Sequence, residues 1–371
     1  MTVYTERINK VRKELEQLDA EAALITSPLS VAYLTGFACD PHERFLGLLL
    51  REDGAVLFVP SLEKEKAESE LGGAGSSIHE ILGVQDTDDP YDKVKQNGGL
   101  STVRRLAVEK EYMKLGHAER LGAVFEGLTF TDIGGLVSRM RNRKTPEEIA
   151  KLKAAAVLVE DVLAEGLKRV KAGVTELELV AELEYIMKKK GADRPSFNTM
   201  VLAGANSALP HGVPGATKVQ EGAFLLFDLG VFKDGYCSDI TRTFVVGEPL
   251  AEMEKIYNTV LAAEEAAIRA VEIGRPLADV DRAARSVIED AGYGRYFTHR
   301  TGHGLGMEVH ESPSVHGANE EAMEAGMVFT IEPGIYVPGV GGVRIEDDVY
   351  VTESGAGLLT SFPKALTRLE I

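Results

Sequence analysis

Cysteine is scarce: Cys39 and Cys237 are the only two in 371 residues. They are too few and too far apart for a disulfide framework, and neither has metal-ligand spacing. A reducing cytoplasm is the expected setting. Long apolar runs are also missing, none reaching the ~18 residues of a membrane span. Residues 1–19 mix charged and apolar positions as an amphipathic helix does, with no continuous apolar core and no cleavage signal. These absences predict a soluble intracellular protein. Basic residues are in deficit, 41 Lys and Arg against 58 Asp and Glu, for a formal charge of −17. That balance argues against nucleic acid or an anionic membrane as the main partner. The glycine-rich stretch 71–77 and the cluster from Asp86 to Pro90 are loops, and no lysine follows in the spacing of a phosphate-binding loop.

What is present is ordinary globular composition, 44% hydrophobic and 27% charged, at a length that favours two domains. From Arg7 to about Arg143, helix and strand patterns alternate as in an α/β domain, with strands expected at 22–26, 45–50, 55–59 and 105–109. A new start comes at Thr145-Pro146-Glu147-Glu148, where Thr caps, Pro takes the first helical position and Glu148 completes a capping box. The expected boundaries are residues 1–130 for the N-terminal domain, 131–144 for a linker helix region and 145–371 for the C-terminal domain. Within the last, a helix stopping near Gly173 is followed by one that opens at the Thr175–Glu178 capping box and ends at Gly191. A helix from about Ala251 to near Gly274 is followed by one ending at Gly292. Both glycine pairs are 18 residues apart, and each half continues into a histidine-bearing segment and an acid-bearing hairpin. This order predicts a duplicated α+β unit with a site between its halves.

Four acids interrupt apolar, strand-like runs: Asp228 in 224–229, Asp239 in 238–244, Glu332 in 328–334 and Glu346 in 343–349. A carboxylate taken out of water costs several kcal/mol unless a cation or hydrogen bonds compensate it. Four such acids with few bases nearby ask for metal ions. If Asp234-Gly235 forms a two-residue turn, Lys233 faces Tyr236, Asp228 faces Thr241, and Asp239 lies diagonal to Asp228 on one sheet face. A loop centred on Val340 sets Glu332 opposite Asp348 and puts Glu346 on the same face. The alternative for Asp228 and Asp239 is a turn-flanking acid paired with Arg242. Four of the eight histidines lie at 299, 303, 310 and 316, while His211 sits in Leu209-Pro-His-Gly-Val-Pro214.

Four oxygen donors and the imidazole of His303 suit Mn²⁺, Co²⁺, Fe²⁺ or Zn²⁺. Two ions ~3.5–4 Å apart would hold a bridging water, lower its pKa and polarise a substrate carbonyl, which describes hydrolysis. Such a reaction needs hydrogen-bond donors at the developing oxyanion, which imidazoles can supply while also passing protons. His310 is not part of a zincin motif, because no second histidine falls four residues later. The glycines of Gly302-His303-Gly304-Leu305-Gly306 are read as backbone freedom close to a ligand. Arg344 either neutralises neighbouring acids or, the sharper reading, binds substrate. His299, His316, Asp347 and Asp348 stand as supporting or surface residues, and Cys237 is expected to pack beside the first hairpin.

At this point the chain resembles the pita-bread metallopeptidases, the family of methionine aminopeptidase, aminopeptidase P and prolidase (Xaa-Pro dipeptidase). The motifs are Asp228-Leu-Gly, Ser238-Asp239-Ile-Thr-Arg-Thr243, Gly302-His303-Gly-Leu-Gly306, His310-Glu-Ser-Pro313, Ile331-Glu332-Pro-Gly334 and Arg344-Ile-Glu346-Asp. Residues 28–37 resemble part of the creatinase-like N-terminal domain. The resemblance implies an α/β creatinase-like domain followed by an α+β pita-bread domain with pseudo-twofold duplication. It makes Asp239 and Glu346 ligands shared by two ions, Asp228 a ligand of one, and His303 with Glu332 ligands of the other. Glu332 would double as proton shuttle, and His211, His310 and Arg344 would hold substrate and stabilise the tetrahedral intermediate. All eight positions are intact, unlike those of creatinase, a metal-free relative.

The length is similar to that of bacterial and archaeal dipeptidases, which implies Mn²⁺- or Co²⁺-dependent cleavage of Xaa-Pro dipeptides, with Zn²⁺ or Fe²⁺ as other possible metals. Short proline-containing peptides are the implied partners, and a homodimer the implied assembly. In such a dimer the segment from Phe37 to Arg44 would cover the neighbour's site. The alternatives are aminopeptidase P, a non-catalytic peptide-binding homologue, and a metal-independent hydrolase like creatinase.

Overall fold

A computed structural model describes residues 2–73, 77–97 and 103–371. The chain divides into two compact units, one ending at Met140 and one from Arg141 to Ile371. In the first, α1 (Val3–Gln17), β1 (Ala22–Ile25), α2 (Pro28–Thr35), β2 (Gly47–Arg51), β3 (Ala55–Pro60), α3 (Lys64–Leu71), β4 (Glu80–Val84), α4 (Pro90–Asn97), β5 (Arg105–Val108), α5 (Leu115–Val124), β6 (Thr129–Asp132) and α6 (Gly134–Asn142) follow in order. The six strands form one mixed sheet, β4-β3-β2-β1-β5-β6. Every residue of β1 and β3 is buried, as continuous apolar strands require when both faces are covered. The edge strands β4 and β6 carry Glu80, Thr129 and Asp132 and are mostly half-buried or exposed, so their mixed composition does not read as strand. Of the loop expected at 71–77, Leu71 closes α3 and residues 74–76 lie outside the described residues. The segment Phe37–Arg44 is irregular.

The second unit opens with α7 (Pro146–Leu167) and α8 (Glu176–Lys189), each with the expected capping box, from Thr145 with Glu148 and from Thr175 with Glu178. There follow β7 (Arg194–Pro195), β8 (Met200–Ala203), β9 (Ala223–Leu229), β10 (Val231–Lys233), β11 (Tyr236–Cys237) and β12 (Ile240–Val246). The next stretch comprises α9 (Ala251–Arg269), α10 (Leu277–Asp290), β13 (Gly302–Gly304), β14 (Glu311–Val315) and β15 (Val328–Ile331). It ends with β16 (Gly334–Val337), β17 (Gly341–Arg344), β18 (Asp347–Thr352), β19 (Gly355–Leu358) and β20 (Arg368–Leu369). The duplication is visible in the backbone. Gly173, Gly191, Gly274 and Gly292 all take left-handed φ, between 78° and 90°. Gly191 and Gly292 directly follow the C-caps of α8 and α10, where glycine ends a helix most easily. Gly173 and Gly274 lie beyond the ends of α7 and α9, which stop earlier than expected, at Leu167 and Arg269. Gly173 N donates to Val219 O and Gly274 N to Met323 O; Glu176 N donates to Thr217 O and Leu277 N to Glu321 O. One apolar cluster packs α7 and α8 on β9 and β12 through Leu163, Leu183, Phe227 and Phe244. The other packs α9 and α10 on β15 and β18 through Tyr257, Ile288, Phe329 and Val349.

The first hairpin has the expected register, with Lys233 opposite Tyr236 and Asp228 opposite Thr241. The second corrects the expectation. Asp348 faces Thr330, not Glu332, and Val337 pairs with Gly341. The turn is a tight one over 337–340, closed by Val340 N donating to Val337 O at 3.0 Å, with Gly339 at φ 82°. Proline followed by a left-handed glycine is the composition of a type II turn. It moves the turn centre back one residue and the register two, which keeps Glu332 and Glu346 on one face and brings them level. Among the described residues, no helix is long and apolar enough to cross a membrane.

Candidate metal centre

All eight residues singled out from the sequence line one cavity of about 360 Å³: His211, Asp228, Asp239, His303, His310, Glu332, Arg344 and Glu346. Phe197, Met200, Pro210, His299 and Arg300 complete the wall. The acids come from β9, from the residue before β12, from the residue after β15 and from the short break between β17 and β18. Asp239, Glu346 and His303 are buried, and Asp228 is nearly so.

His303 decides what the centre can accept. Its Nδ1 lies 3.2 Å from Gly304 O. A carbonyl only accepts, so Nδ1 carries the proton and Nε2 keeps its lone pair. That lone pair points at oxygens, 3.3 Å from Glu332 Oε1 and 3.8 Å from Asp239 Oδ2. Burial and the neighbouring His310 push the imidazole pKa down to about 3, so the ring is neutral near pH 7. Acceptors facing acceptors in a buried site require a proton or a cation between them. Asp239 Oδ1 has no hydrogen-bond partner, and Asp239, His303 and Glu346 each offer one ligand atom within 4.8 Å of the others. Burial and then the surrounding carboxylates hold the Asp239 and Glu346 carboxyls well above their usual range. Burial pushes Glu332 up to about 7. Acids crowded this way, with a neutral imidazole among them, fit divalent cations.

Arg344 donates from Nη2 to Asp228 Oδ2, from Nε to Thr241 Oγ1 (3.1 Å) and from Nη1 to Tyr336 Oη (2.8 Å). It therefore neutralises an acid while lining the cavity. Burial lowers its pKa, but Tyr336, Asp228, Glu332 and Glu346 outweigh that and keep it well above the usual value. Thr241 Oγ1 donates to Glu346 Oε2 at 2.6 Å, and Thr330 Oγ1 to Glu332 Oε1 at 3.2 Å. His310 stands edge-on to His303 with ring centroids 4.2 Å apart. His211 is exposed on the loop after β8.

Several expectations change. Arg242 does not pair with Asp228 or Asp239. It is 1% exposed and donates to Asp347 Oδ1 (2.6 Å) and to the carbonyls of Thr241, Glu346, Phe362 and Pro363. Asp347 and Asp348 are both interior: Asp348 Oδ2 accepts from Asp239 N at 3.1 Å, and Asp347 Oδ2 from Lys364 Nζ at 2.7 Å. Gly302 and Gly304 do not serve freedom near a ligand. A Cβ at either would collide with the carbonyl of Thr330 or Ser312, so they admit the neighbouring strands. Tyr336 was missed. Its hydroxyl joins Arg344 to His299 Nε2 (2.9 Å), and its parity with Glu332 in the strand was the available signal. Burial pushes His299 down to about 4. Cys237, expected beside the first hairpin, lies within it, on β11 opposite Phe232, in an apolar cluster with Leu152, Leu305 and Val328, and burial raises its thiol to about 12.

Comparison with known proteins gives the same division of the chain. Residues 7–143 match the creatinase/prolidase N-terminal domain and residues 150–353 match metallopeptidase family M24. A relative described as an uncharacterised peptidase of Staphylococcus aureus is 44% identical over 359 residues, 96% of this chain and 99% of its own length. The solved structure of an Xaa-Pro dipeptidase from Bacillus anthracis is 35% identical and has a TM-score of 0.91, covering 99% of this chain and 100% of that one. An X-Pro aminopeptidase from Thermotoga maritima is 34% identical, with a TM-score of 0.86, covering 96% of this chain and 99% of that one. With a creatinase-type N-terminal domain, a duplicated C-terminal unit and five clustered ligand-type side chains, the chain belongs to metallopeptidase family M24 and is an enzyme, a metallopeptidase of the pita-bread fold.

Proposed function

We propose that this enzyme hydrolyses Xaa-Pro dipeptides with two divalent ions, Mn²⁺ or Co²⁺ in the first instance. The observation that carries this reading is the His303 Nε2 lone pair aimed at Glu332 and Asp239 beside an unpartnered Asp239 oxygen. Asp239 and Glu346 would be shared by both ions, Asp228 would serve one, and His303 and Glu332 the other. Bound there, the ions supply a water of lowered pKa and an electrophile for the scissile carbonyl. Glu332 accepts a proton at its carboxylate and delivers it to the proline nitrogen as that nitrogen leaves. His211 and His310 donate to the carbonyl oxygen of the intermediate. Arg344, anchored by Asp228 and Tyr336, binds the substrate next to the reacting bond. A cavity of about 360 Å³ suits a short peptide. A homodimer in the cytoplasm is part of the same reading, in keeping with two free cysteines.

Aminopeptidase P activity is the second reading, favoured by the likeness to the Thermotoga maritima aminopeptidase. Ala-Pro and Ala-Pro-Ala assayed side by side, after chelation and readdition of Mn²⁺ or Co²⁺, separate the two. Faster cleavage of the dipeptide is expected; preferential release of the first residue from the tripeptide would move the assignment. A protein that stays active in chelator would belong with the metal-independent hydrolases, and one inactive with every metal with the binding-only homologues.

A further inference from the structure

Each half of the duplicated unit buries an acid that touches no residue of the proposed reaction. Glu176, the first residue of α8, is 0% exposed, and Asp281 on α10 is 1% exposed. The duplication relates the halves by an offset of 101 residues (Gly173 to Gly274, Gly191 to Gly292). At that offset Glu176 corresponds to Leu277 and Asp281 to Val180, so the two acids sit one helical turn apart on the same helix face. A buried carboxylate persists only where hydrogen bonds replace water, and each of these collects its bonds from a loop that carries cavity histidines.

Glu176 grips both ends of the His211 loop. Its Oε1 accepts from Ala203 N (2.8 Å) and Asn206 Nδ2 (3.0 Å), and its Oε2 from Gly215 N (2.9 Å). Asp281 grips the other arm. Its Oδ1 accepts from Thr301 N (3.1 Å) and Thr301 Oγ1 (2.7 Å), while Arg285 donates to both oxygens at 2.9 Å and also to the carbonyls of Phe297 and His299. Thr301 O in turn accepts from Glu332 N at 2.8 Å, and His303 follows two residues later.

We propose that Glu176 and Asp281 are paired positioning residues with divided duties: Glu176 aims His211 at the substrate, and Asp281 aims His303 and Glu332 at the metal ions. This deepens the proposed function and rests on it. The division follows from the bonding. A carboxylate accepts from every one of these donors, whereas an amide turns an N–H toward at least one of them and leaves it unpaired. Glu176→Gln therefore loosens only the His211 arm, and Asp281→Asn only the arm carrying His303 and Glu332.

The test compares both variants with the full-length wild type for Mn²⁺ half-saturation, measured by binding, and for KM and kcat on Ala-Pro at saturating Mn²⁺. Glu176→Gln should lower kcat about tenfold at saturating Mn²⁺ with Mn²⁺ half-saturation within about twofold; Asp281→Asn should raise Mn²⁺ half-saturation about tenfold with a smaller change in kcat once Mn²⁺ is saturating. Equal losses of both properties in both variants, or neither change, would overturn the proposal, the former being what a purely structural role produces. NMR of the histidine rings in metal-free protein gives an independent reading, with His211 signals shifting in Glu176→Gln and His303 signals in Asp281→Asn. If the wild type cleaves no Xaa-Pro dipeptide, the proposed function fails, while the metal-binding and ring signals still decide the positioning.

Discussion

The two halves of the C-terminal unit share helices, glycines and hydrogen bonds but spend them differently. In the first half the ladder breaks between β10/β11 and β9/β12, with Asp239 in the gap, and the histidine this half gives the cavity is the exposed His211. In the second, the ladder breaks between β15/β18 and β16/β17, and His303 is buried among the acids with Glu332 beside it. The first gap lets Asp239 line the cavity beside Asp228 of β9. The second gap likewise holds Glu332 and Glu346 where the strands part, and both line the cavity. The lesson is that a duplicated fold supplies symmetric walls and a matching gap for acids in each half, whereas the asymmetry lies in the imidazoles, exposed at His211 and buried at His303.

The strongest way to test that asymmetry is to remove one group from each half. Glu332→Gln should lower kcat by about 10³-fold, as loss of a proton-transfer group does. His211→Ala should cost about 10²-fold, the effect of losing one donor to an oxyanion. Steady-state kinetics at saturating Mn²⁺ check both; equal losses would erase the distinction between the halves.

A second test separates the halves physically. Arg242 on β12 and Asp347 on β18 are 1% exposed and joined at 2.6 Å. Lys364 bridges Asp347 to the fully buried Glu264, at 2.7 and 2.9 Å. Arg242→Met leaves Asp347 with one cation, and loss of one partner from a buried ion pair costs about 3–5 kcal/mol. Urea unfolding of the metal-free variant should show that loss, and an unchanged midpoint would mean that the apolar clusters alone hold the halves together.

A smaller effect comes from pH. The Glu332 carboxyl is raised by burial from 4.5 to about 7. An acid raised on folding contributes stability that is full below the unfolded value and is lost as pH rises through the folded one. His303 works oppositely. Its depressed pKa of about 3 means stability is lost as pH falls from about 6.5 through that value. The two offset one another between pH 4.5 and 6.5, leaving the acids in control above. The Tm of metal-free protein should therefore fall between pH 6.5 and 8, and added Mn²⁺ should abolish the fall. A flat or rising Tm without metal would contradict the crowding of acids.

Much of this was legible in the sequence where local chemistry set the geometry. Asp234-Gly235 fixed one hairpin register, and the two threonine capping boxes fixed the starts of α7 and α8. Pro338-Gly339 announced a tight turn as well, but centring the loop on Val340 shifted its register by two. What stayed hidden depended on partners far apart in the chain. Nothing near Asp281 announces Thr301 or Arg285's reach to His299 O, and nothing near Arg242 announces Lys364. The closeness of Gly302 to Thr330 depends on a neighbouring strand, so a motif that looked conformational proved to be one of packing.

The central claim is that the acids and His303 form a cation site rather than a proton-linked cluster. Mn²⁺ titration of chelator-treated protein at pH 7.5, read as ions bound per chain alongside Ala-Pro hydrolysis, addresses it directly. The account predicts about two ions per chain, with activity absent before the titration and rising with occupancy. Fewer than about one ion per chain, or hydrolysis that persists in chelator, would contradict it.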